Sequence, residues 1–258
     1  MGRPCNVAPM ELAASAVRVS VDERNGGRLA SIMLRGHELL VTESEDPMGW
    51  GSYPMIPWAG RVRRGRFRFK GGEYQLPINM APHSIHGTCL NRPWERNDDG
   101  SLGIELGTSW PFGGSAIQRF DLTKDRLICT IEVHNDVRSM PACVGWHPWF
   151  RRPVSLSFAA RKMYVRDDDF IPSGEIIAPR SGPWDDCFTD LATAPKLRWD
   201  GGPSVTLTST ADHWVVYDQP LHAVCVEPQT GPPDAFTLAP RTVEPGRPLI
   251  ASMTYTWG

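Results

Sequence analysis

Two ionisable residues of this 258-residue chain, a histidine and a glutamate, lie among apolar residues and directly before a proline. His147 lies in GWHPWF, between two tryptophans and directly before a proline, and Glu227 ends the apolar run AVCV and also precedes a proline. A residue before proline is held extended, so both side chains would be fixed near the ends of strands. An imidazole and a carboxylate fixed in this way can act as general acid and general base. The same setting also suits a structural histidine and a carboxyl group that merely ends a strand.

Two further histidines, His83 and His86 in APHSIHGTCLNRPW, have a spacing that can bind zinc on a helix. The proline before them and the glycine after them instead predict a loop or a strand, and on a strand residues three apart face opposite ways. Partner ligands are not evident nearby. The sequence therefore favours histidines that hydrogen-bond a polar ligand or the backbone, and it predicts no metal site.

Composition and charge narrow the class of protein. The formal net charge is −2, which gives no reason to expect a nucleic acid or an anionic membrane as partner. No apolar run is long enough to span a membrane, and a glutamate interrupts the apolar patch of the first twenty residues, which argues against a signal peptide. The six cysteines include no CxxC pair. We therefore expect a cytoplasmic protein with reduced, mostly buried cysteines.

The elements that must position these groups look like short strands. Glycine and proline, 24 of each, are scattered along the chain, as in proteins with many strands and turns. LICTIEVHN (127–135) and SMTYTW (252–257) alternate apolar and polar residues, as half-buried antiparallel strands do. FRFKGGEYQL (67–76) predicts a hairpin, and residues 9–16 are compatible with two helical turns. The sequence predicts one all-β domain over residues 1–258, with two large packed antiparallel sheets.

Several segments, taken in order, resemble the aldose 1-epimerase (galactose mutarotase) family. They are NGGRLASIMLRGHELL (25–40), YPMIPWAGRVRRGRF (53–67), HSIHG (83–87), RPWE (92–95), RFDLTKDRLICTIEVHND with MPACVGWHPWF (119–150), DDCF (185–188) and VEPQTGPPDAF (226–236). The resemblance implies a β-supersandwich that binds a monosaccharide in an open cleft and interconverts its α and β anomers. It implies no cofactor and no metal in the chemistry.

The resemblance also implies roles for individual residues. Glu227 would be the catalytic base, His147 the general acid, and His86 would hold the region of the ring oxygen. To invert C1, the enzyme removes the proton of the C1 hydroxyl and delivers a proton to the ring oxygen, and the reverse steps close the ring on the other face. Free histidine titrates near ~6.5 and is mostly neutral at pH 7. We therefore predict that Glu227 or Asp185 raises the pKa of His147 when the substrate binds.

The sugar-binding residues implied by the resemblance are Arg61 and Asp185, in contact with hydroxyl groups. Asp186 is adjacent in DDCF, and a shift of one position would exchange the two aspartates. Trp149 would offer a flat ring to the apolar face of a pyranose, although a tryptophan here could equally pack between sheets. The chain departs from the family pattern at Gly60, usually asparagine, and at Thr88, usually glycine. We expect these departures to alter which sugar hydroxyls are preferred.

Two alternatives stay open from the sequence. The basic run Arg61, Arg63, Arg64, Arg66 and Arg68 could bind the phosphate of a hexose 6-phosphate, although the last three would share one solvated face if the segment were a strand. A non-catalytic sugar-binding protein of the same fold is the second alternative, and the presence of both Glu227 and His147 speaks against it. In either case the partner is a small monosaccharide, and the oligomeric state is left open.

Overall fold

The computed structural model describes residues 9–258, and nearly every regular element in that range is a strand. The strands in the first half are β1 (Met10–Ala14), β2 (Val17–Asp22), β3 (Arg28–Leu34), β4 (His37–Glu38), β5 (Ser52–Met55), β6 (Arg61–Val62), β7 (Arg66–Phe69), β8 (Gly72–Gln75), β9 (Ser84–Ile85), β10 (Glu95–Arg96), β11 (Leu102–Glu105), β12 (Ser115–Leu122) and β13 (Arg126–His134). Those in the second half are β14 (Met140–Ala142), β15 (Gly145–Arg151), β16 (Ser155–Arg166), β17 (Pro172–Ile177), β18 (Asp185–Arg198), β19 (Ser204–Ser209), β20 (His213–Tyr217), β21 (Ala223–Gln229), β22 (Arg241–Val243) and β23 (Leu249–Trp257). The helical elements are a 3-10 turn at Arg63–Gly65 and the short helix α1 at Ala235–Leu238.

Most strands belong to a 17-stranded antiparallel sheet that folds into two ladders. One ladder runs β1, β2, β3, β5, β15, β21, β20, β18, β16, β17. The other runs β10, β11, β12, β13, β23, β19 and joins the first at β18. Strand β18 has 14 residues, and its start pairs with β20 while its end pairs with β19. The all-β fold predicted from the sequence is confirmed.

The two ladders pack against each other through their apolar faces. Along β13, residues alternate between buried and half-buried from Leu127 to Val133, as the sequence pattern predicts. Where the ladders meet, the hydroxyl of Tyr255 lies 3.0 Å from Oγ of Ser52, and its ring packs on Phe150. Each fully buried large apolar side chain contributes about 1.5–3 kcal/mol to this sandwich.

Two expectations about local structure are wrong. Residues 9–16 are not helical, because Met10–Ala14 forms β1 and pairs with β2. An isolated two-turn helix is too short to be stable in water, whereas the open edge of β2 supplies backbone hydrogen bonds. Arg64 does not share a strand face with Arg66 and Arg68, because it lies in the 3-10 turn with φ of 51°. The hairpin after it, β7 with β8, is confirmed.

The cysteines and the helices bear on the remaining expectations. Five cysteines in the described range are free and buried, as expected, namely Cys89, Cys129, Cys143, Cys187 and Cys225. The sixth, Cys5, lies outside the described residues. Between residues 9 and 258, no helix has the length and apolar character needed to cross a membrane.

Candidate active site

All six residues predicted for the site line one cavity of about 210 Å³. They are Glu227, His147, His86, Arg61, Asp185 and Trp149. The cavity lies where β5, β15, β18 and β21 approach the turn after β9 and the start of β6. Pockets for drug-sized ligands span roughly 300–1,000 Å³, so this cavity suits a smaller molecule with the size of a single sugar ring.

His147 and Glu227 meet across neighbouring strands. The pairing of β15 with β21 aligns Gly145 with Gln229 and Trp149 with Cys225, which places the two ionisable residues opposite each other. Nε2 of His147 lies 3.2 Å from Oε1 of Glu227, and both side chains are buried. The side-chain amide of Gln229 donates to Oε2 of Glu227 at 3.2 Å. The structure thus brings the predicted acid and base into direct contact.

A stack of rings holds the His147 imidazole in place. Tyr53 in β5 lies opposite His147 in register, and their rings stack with centroids 5.0 Å apart. The ring of Trp149 also stacks on that of His147, at 5.3 Å, and the ring of exposed His222 stacks on that of Trp149 at 5.7 Å. His86 meets the His147 ring edge-on at 5.1 Å. These contacts hold the imidazole of His147 among three rings that pack directly against it.

Burial sets the protonation of these groups. It lowers the pKa of His147 and raises the pKa of Glu227, which the nearby charge of Asp185 raises further. Burial, followed by the neighbouring His147 and Arg61, also lowers the pKa of His86. In the free protein the low-dielectric surroundings therefore favour a neutral imidazole beside a protonated carboxyl group. The rise in the pKa of His147 predicted from the sequence is not present here and stays a prediction for the sugar complex.

His86 reaches the cavity because of an unusual turn. Its φ is 58°, and its N–H donates to the carbonyl of Gly60 at 3.1 Å. The next residue must be glycine, since a Cβ on Gly87 would lie 1.9 Å from the carbonyl oxygen of Ile56. His83 lies outside the cavity lining, and its Nδ1 accepts a hydrogen bond from the N–H of Arg64 at 3.0 Å. The two histidines of this segment therefore face different surroundings.

Arg61 and the two aspartates form the polar wall of the cavity. Both Asp185 and Asp186 line it, but Asp186 is engaged by Arg166, whose Nε lies 3.0 Å from Oδ1. Burial raises the pKa of Asp185, while the charges of Arg61 and Arg166 oppose the rise. Asp185 is thus the aspartate whose charge is felt by Glu227 and Arg61. This geometry favours Asp185 over Asp186 for contact with a ligand.

Sequence reasoning missed several lining residues, among them Tyr53, Arg166 and Phe170. Phe170 follows β16 with φ of 60°, and its ring lies between two guanidinium groups, 5.2 Å from Arg61 and 4.4 Å from Arg166. Tyr53 belongs to a segment that carries the family resemblance, which was a usable signal. Arg166 and Phe170 lie outside every such segment, so only the fold could reveal them.

The two departures from the family pattern have different consequences. Gly60 has φ of 66°, and a Cβ there would lie 2.9 Å from Cβ of Pro233. Pro233 therefore fills the space that a side chain at position 60 would need, and it becomes part of the cavity wall. Thr88 donates its hydroxyl to the carbonyl of Leu106 at 2.8 Å and does not line the cavity. An effect on ligand preference is therefore expected from Gly60 and not from Thr88.

The basic run is directed mostly away from the cavity. Arg61 alone among its arginines lines the cavity. Nη2 of Arg63 lies 2.6 Å from Asp167. Arg66 donates to Gln75 at 3.0 Å, and Arg68 pairs with Glu73 on the exposed hairpin. Most of the run therefore has partners elsewhere.

One group of buried side chains, two of which line the cavity, could hold a metal ion. Ligand atoms of His147, Cys225 and Glu227 all lie within 4.8 Å of one another, and all three residues are buried. The group includes the acid–base pair itself.

Comparisons with known proteins agree with this architecture. The chain is 34% identical to YphB of Escherichia coli K12 over 104 residues, which is 38% of this chain and only 36% of that relative's length. A solved structure from Escherichia coli K12, named provisionally as an aldose 1-epimerase, superposes with a TM-score of 0.85 at 20% identity and covers 97% of this chain and 99% of its own. Galactose 1-epimerase from Lactobacillus acidophilus NCFM superposes with a TM-score of 0.80 at 16% identity over 100% of this chain and 97% of its own. These structural matches show a common fold.

A sequence model of one family spans almost the whole described chain. The model, described as aldose 1-epimerase, matches residues 23–256. This range contains the strands that line the cavity and every residue predicted for the site. The chain belongs to the aldose 1-epimerase family.

Proposed function

We propose that the protein is an aldose 1-epimerase that interconverts the α and β anomers of a free aldohexose. Glu227 acts as the base and His147 as the acid. The observation that carries the proposal is the contact of 3.2 Å between these two side chains at the floor of a cavity with the size of one sugar ring. A cavity for a pure binder has no need of a buried acid–base pair.

The geometry of the pair suits the two oxygens on C1. The hydroxyl oxygen and the ring oxygen are separated by one tetrahedral carbon, so two groups in contact with each other can each hydrogen-bond one of them. In ring opening, Glu227 takes the proton of the C1 hydroxyl and protonated His147 gives its proton to the ring oxygen. The pair is then a neutral imidazole beside a carboxylic acid. After rotation about C1–C2, the reverse transfers close the ring on the other face.

The neutral form favoured in the free protein is therefore the form that closes the ring. A single proton transfer between Glu227 and His147 converts it to the ionised form that opens the ring, and no proton from solvent is required. Hydrogen bonds from sugar hydroxyls to the Glu227 carboxylate would favour the ionised form. We infer that substrate binding drives this transfer, which is the rise in the pKa of His147 that the sequence predicts.

The remaining predicted residues are assigned to binding. His86 would hydrogen-bond near the ring oxygen through its edge, since burial keeps its imidazole neutral. Arg61 and Asp185 would contact hydroxyl groups on the polar wall. Trp149 lines the cavity beside His147, and the rings of Trp149 and Tyr53 both stack on the His147 imidazole.

The charges around the cavity favour a free sugar over a hexose 6-phosphate. Even without Glu227, which burial favours in its protonated form, the lining aspartates Asp46, Asp185 and Asp186 outnumber the two lining arginines, Arg61 and Arg166. Arg166 is already paired with Asp186. A phosphate dianion needs uncompensated cations, and Arg63, Arg66 and Arg68 of the basic run have partners outside the cavity.

The experiment is polarimetry of freshly dissolved α-glucose and α-galactose, with the 6-phosphates in parallel. We expect acceleration for a free sugar, and a loss of about 10²–10⁴-fold in kcat for Glu227→Gln and for His147→Gln. Glu73→Gln is the matched control, because Glu73 lies on the exposed hairpin. Full activity of Glu227→Gln would refute the mechanism, and sugar binding without acceleration would identify a non-catalytic protein.

A further inference from the structure

A buried thiol that the proposed reaction does not use lies beside the acid–base pair. Cys225 precedes Glu227 by two residues on β21, so both side chains point to the same side of the strand. His147 lies opposite them on β15. Ligand atoms of the three residues lie within 4.8 Å of one another. The strand register therefore assembles a compact group of sulfur, nitrogen and oxygen ligands.

The geometry of this group is close to that of a zinc site. Zinc bonds of ~2.0–2.3 Å place tetrahedral ligand atoms roughly 3.3–3.8 Å apart. The 3.2 Å between His147 and Glu227 already matches this spacing. Since no ligand atom is more than 4.8 Å from another, the Cys225 thiol needs to approach by about 1 Å at most. Small rotations of the side chains are enough for this.

The charges of the group also suit a divalent cation. A thiolate and a carboxylate together balance the two positive charges, so the bound group would be neutral within the buried floor. Binding would release the thiol proton and the proton of the His147–Glu227 pair to solvent as the metal–ligand bonds form.

We propose that His147, Cys225 and Glu227 bind zinc or a similar thiophilic divalent cation, and that the bound ion inhibits the enzyme. The three side chains supply three ligands, and because His147 and Glu227 line the cavity, water or a sugar hydroxyl from the cavity would complete the tetrahedron. The inhibitory effect rests on the proposed function, because the metal occupies the lone pairs that the acid and the base need. The binding itself does not depend on that function.

The binding test uses Co²⁺ as a spectroscopic probe with the purified full-length chain. A thiolate ligand gives a near-ultraviolet sulfur-to-cobalt charge-transfer band, and we expect this band to saturate at one equivalent. Zn²⁺ should then displace Co²⁺, since equivalent sites bind zinc more tightly. Absence of the band in the wild-type protein would overturn the proposal.

Variants identify the ligands. Cys225→Ser should abolish the charge-transfer band, whereas Cys187→Ser should keep it, because Cys187 is a buried thiol that lines the cavity but is not part of the group. His147→Gln keeps the thiol and should weaken cobalt binding by at least ~10-fold, which tests the site even if Cys225→Ser does not fold. A band that survives in Cys225→Ser, or disappears in Cys187→Ser, contradicts the assignment.

The activity test is separate. Zinc should slow the wild-type enzyme reversibly, with recovery on addition of a chelator, and the half-inhibiting concentration should be at least ~10-fold higher for Cys225→Ser than for Cys187→Ser. Each variant is compared with its own metal-free rate. If cobalt binds as expected but no aldose is epimerised, the metal site stands and the proposed function fails. If aldoses are epimerised but no charge-transfer band forms, the proposed function stands and the metal site fails.

Discussion

Strands β13 and β15 belong to the same sheet but are buried in different ways. In β13, buried residues alternate with half-buried ones, so only one face of the strand meets the core. In β15 and in its neighbour β21, residues on both faces are buried, with the exception of Arg151 at the end of β15. Water therefore reaches one side of β13 but almost no side chain of β15 or β21.

This difference in burial decides how much a polar side chain lowers the free energy of unfolding. On β13, half-buried Glu132 is close enough to the surface to pair with exposed Arg119. On β15 and β21, the buried polar groups of His147, Glu227 and Gln229 pair with one another, but Nδ1 of His147 and Oε1 of Gln229 are left without a hydrogen-bond partner. Unpaired polar groups in such places cost several kcal/mol. The comparison teaches that β13 is built for stability, whereas β15 and β21 carry polar groups that stability alone would not retain.

The largest effect on stability is expected on β13. Ile131→Ala removes a fully buried side chain that faces the core between the ladders. We expect a loss of about 2–5 kcal/mol in the free energy of unfolding, from lost burial and the cavity left behind. Urea denaturation measures this loss. Since Ile131 does not line the site, kcat/KM per folded molecule should be unchanged; a large drop would mean that the two regions are coupled.

On β21, in contrast, a substitution is expected to raise the stability of the folded protein. Burial raises the pKa of Glu227 in the folded state. Below the ordinary glutamate pKa of ~4.3, Glu227 is protonated in both the folded and the unfolded state, and its bound proton contributes fully to the stability of the folded protein. As the pH rises through the pKa of Glu227 in the folded state, this contribution to the free energy of unfolding is lost. The amide that replaces the carboxyl group in Glu227→Gln does not titrate. The melting temperature of this variant should therefore rise relative to wild type as the pH increases above ~4.3, and then level off.

Thermal melts over a pH series measure this difference. A difference between Glu227→Gln and wild type that stays constant, or shrinks, from acid to neutral pH would show that Glu227 is not destabilised by burial. The expected variant is more stable at neutral pH but inactive. That combination would mark β21 as a strand in which stability is sacrificed for chemistry.

The sequence predicted β13 better than it predicted the cavity, for the same physical reason. A strand with one buried face has a period of two, which is visible in the apolar residues from Leu127 to Val133. A strand buried on both faces has no such alternation. The setting of His147 and Glu227 before prolines singled them out, but their partnership came from the family resemblance and from no periodic pattern.

What the sequence could not predict depends on contacts between distant segments. Tyr53 supports His147 because β5 pairs with β15 in one particular register. Phe170 enters the cavity because two arginines from different elements flank its ring. The segment 9–16 was assigned wrongly because local propensity says nothing about the open edge of β2. In each case the decisive partner is remote in the chain or lies beyond the segment itself.

A smaller effect is expected at the polar wall of the cavity. The charge of Asp185 helps to raise the pKa of Glu227, so Asp185→Asn should lower that pKa. The alkaline limb of the kcat/KM profile, where the His147–Glu227 pair loses its shared proton, should then move to lower pH. Asp186→Asn is the control, because Asp186 is paired with Arg166. If Asp186→Asn moved the alkaline limb further than Asp185→Asn, Asp186 and not Asp185 would be the aspartate that raises the pKa of Glu227.

The smallest effect is expected on the exposed face of the hairpin of β7 and β8, which does not line the cavity. Arg68 and Glu73 pair there with both side chains largely exposed, and such surface pairs contribute little because water screens them. Arg68→Ala should leave the melting temperature and the epimerisation of free aldoses unchanged within error. Turnover of hexose 6-phosphates should also be unaffected, since the cavity and not the basic run decides the substrate. If Arg68→Ala selectively slowed a 6-phosphate, the hairpin would have to reach the substrate, and the preference for a free sugar inferred from the cavity's charges would be wrong.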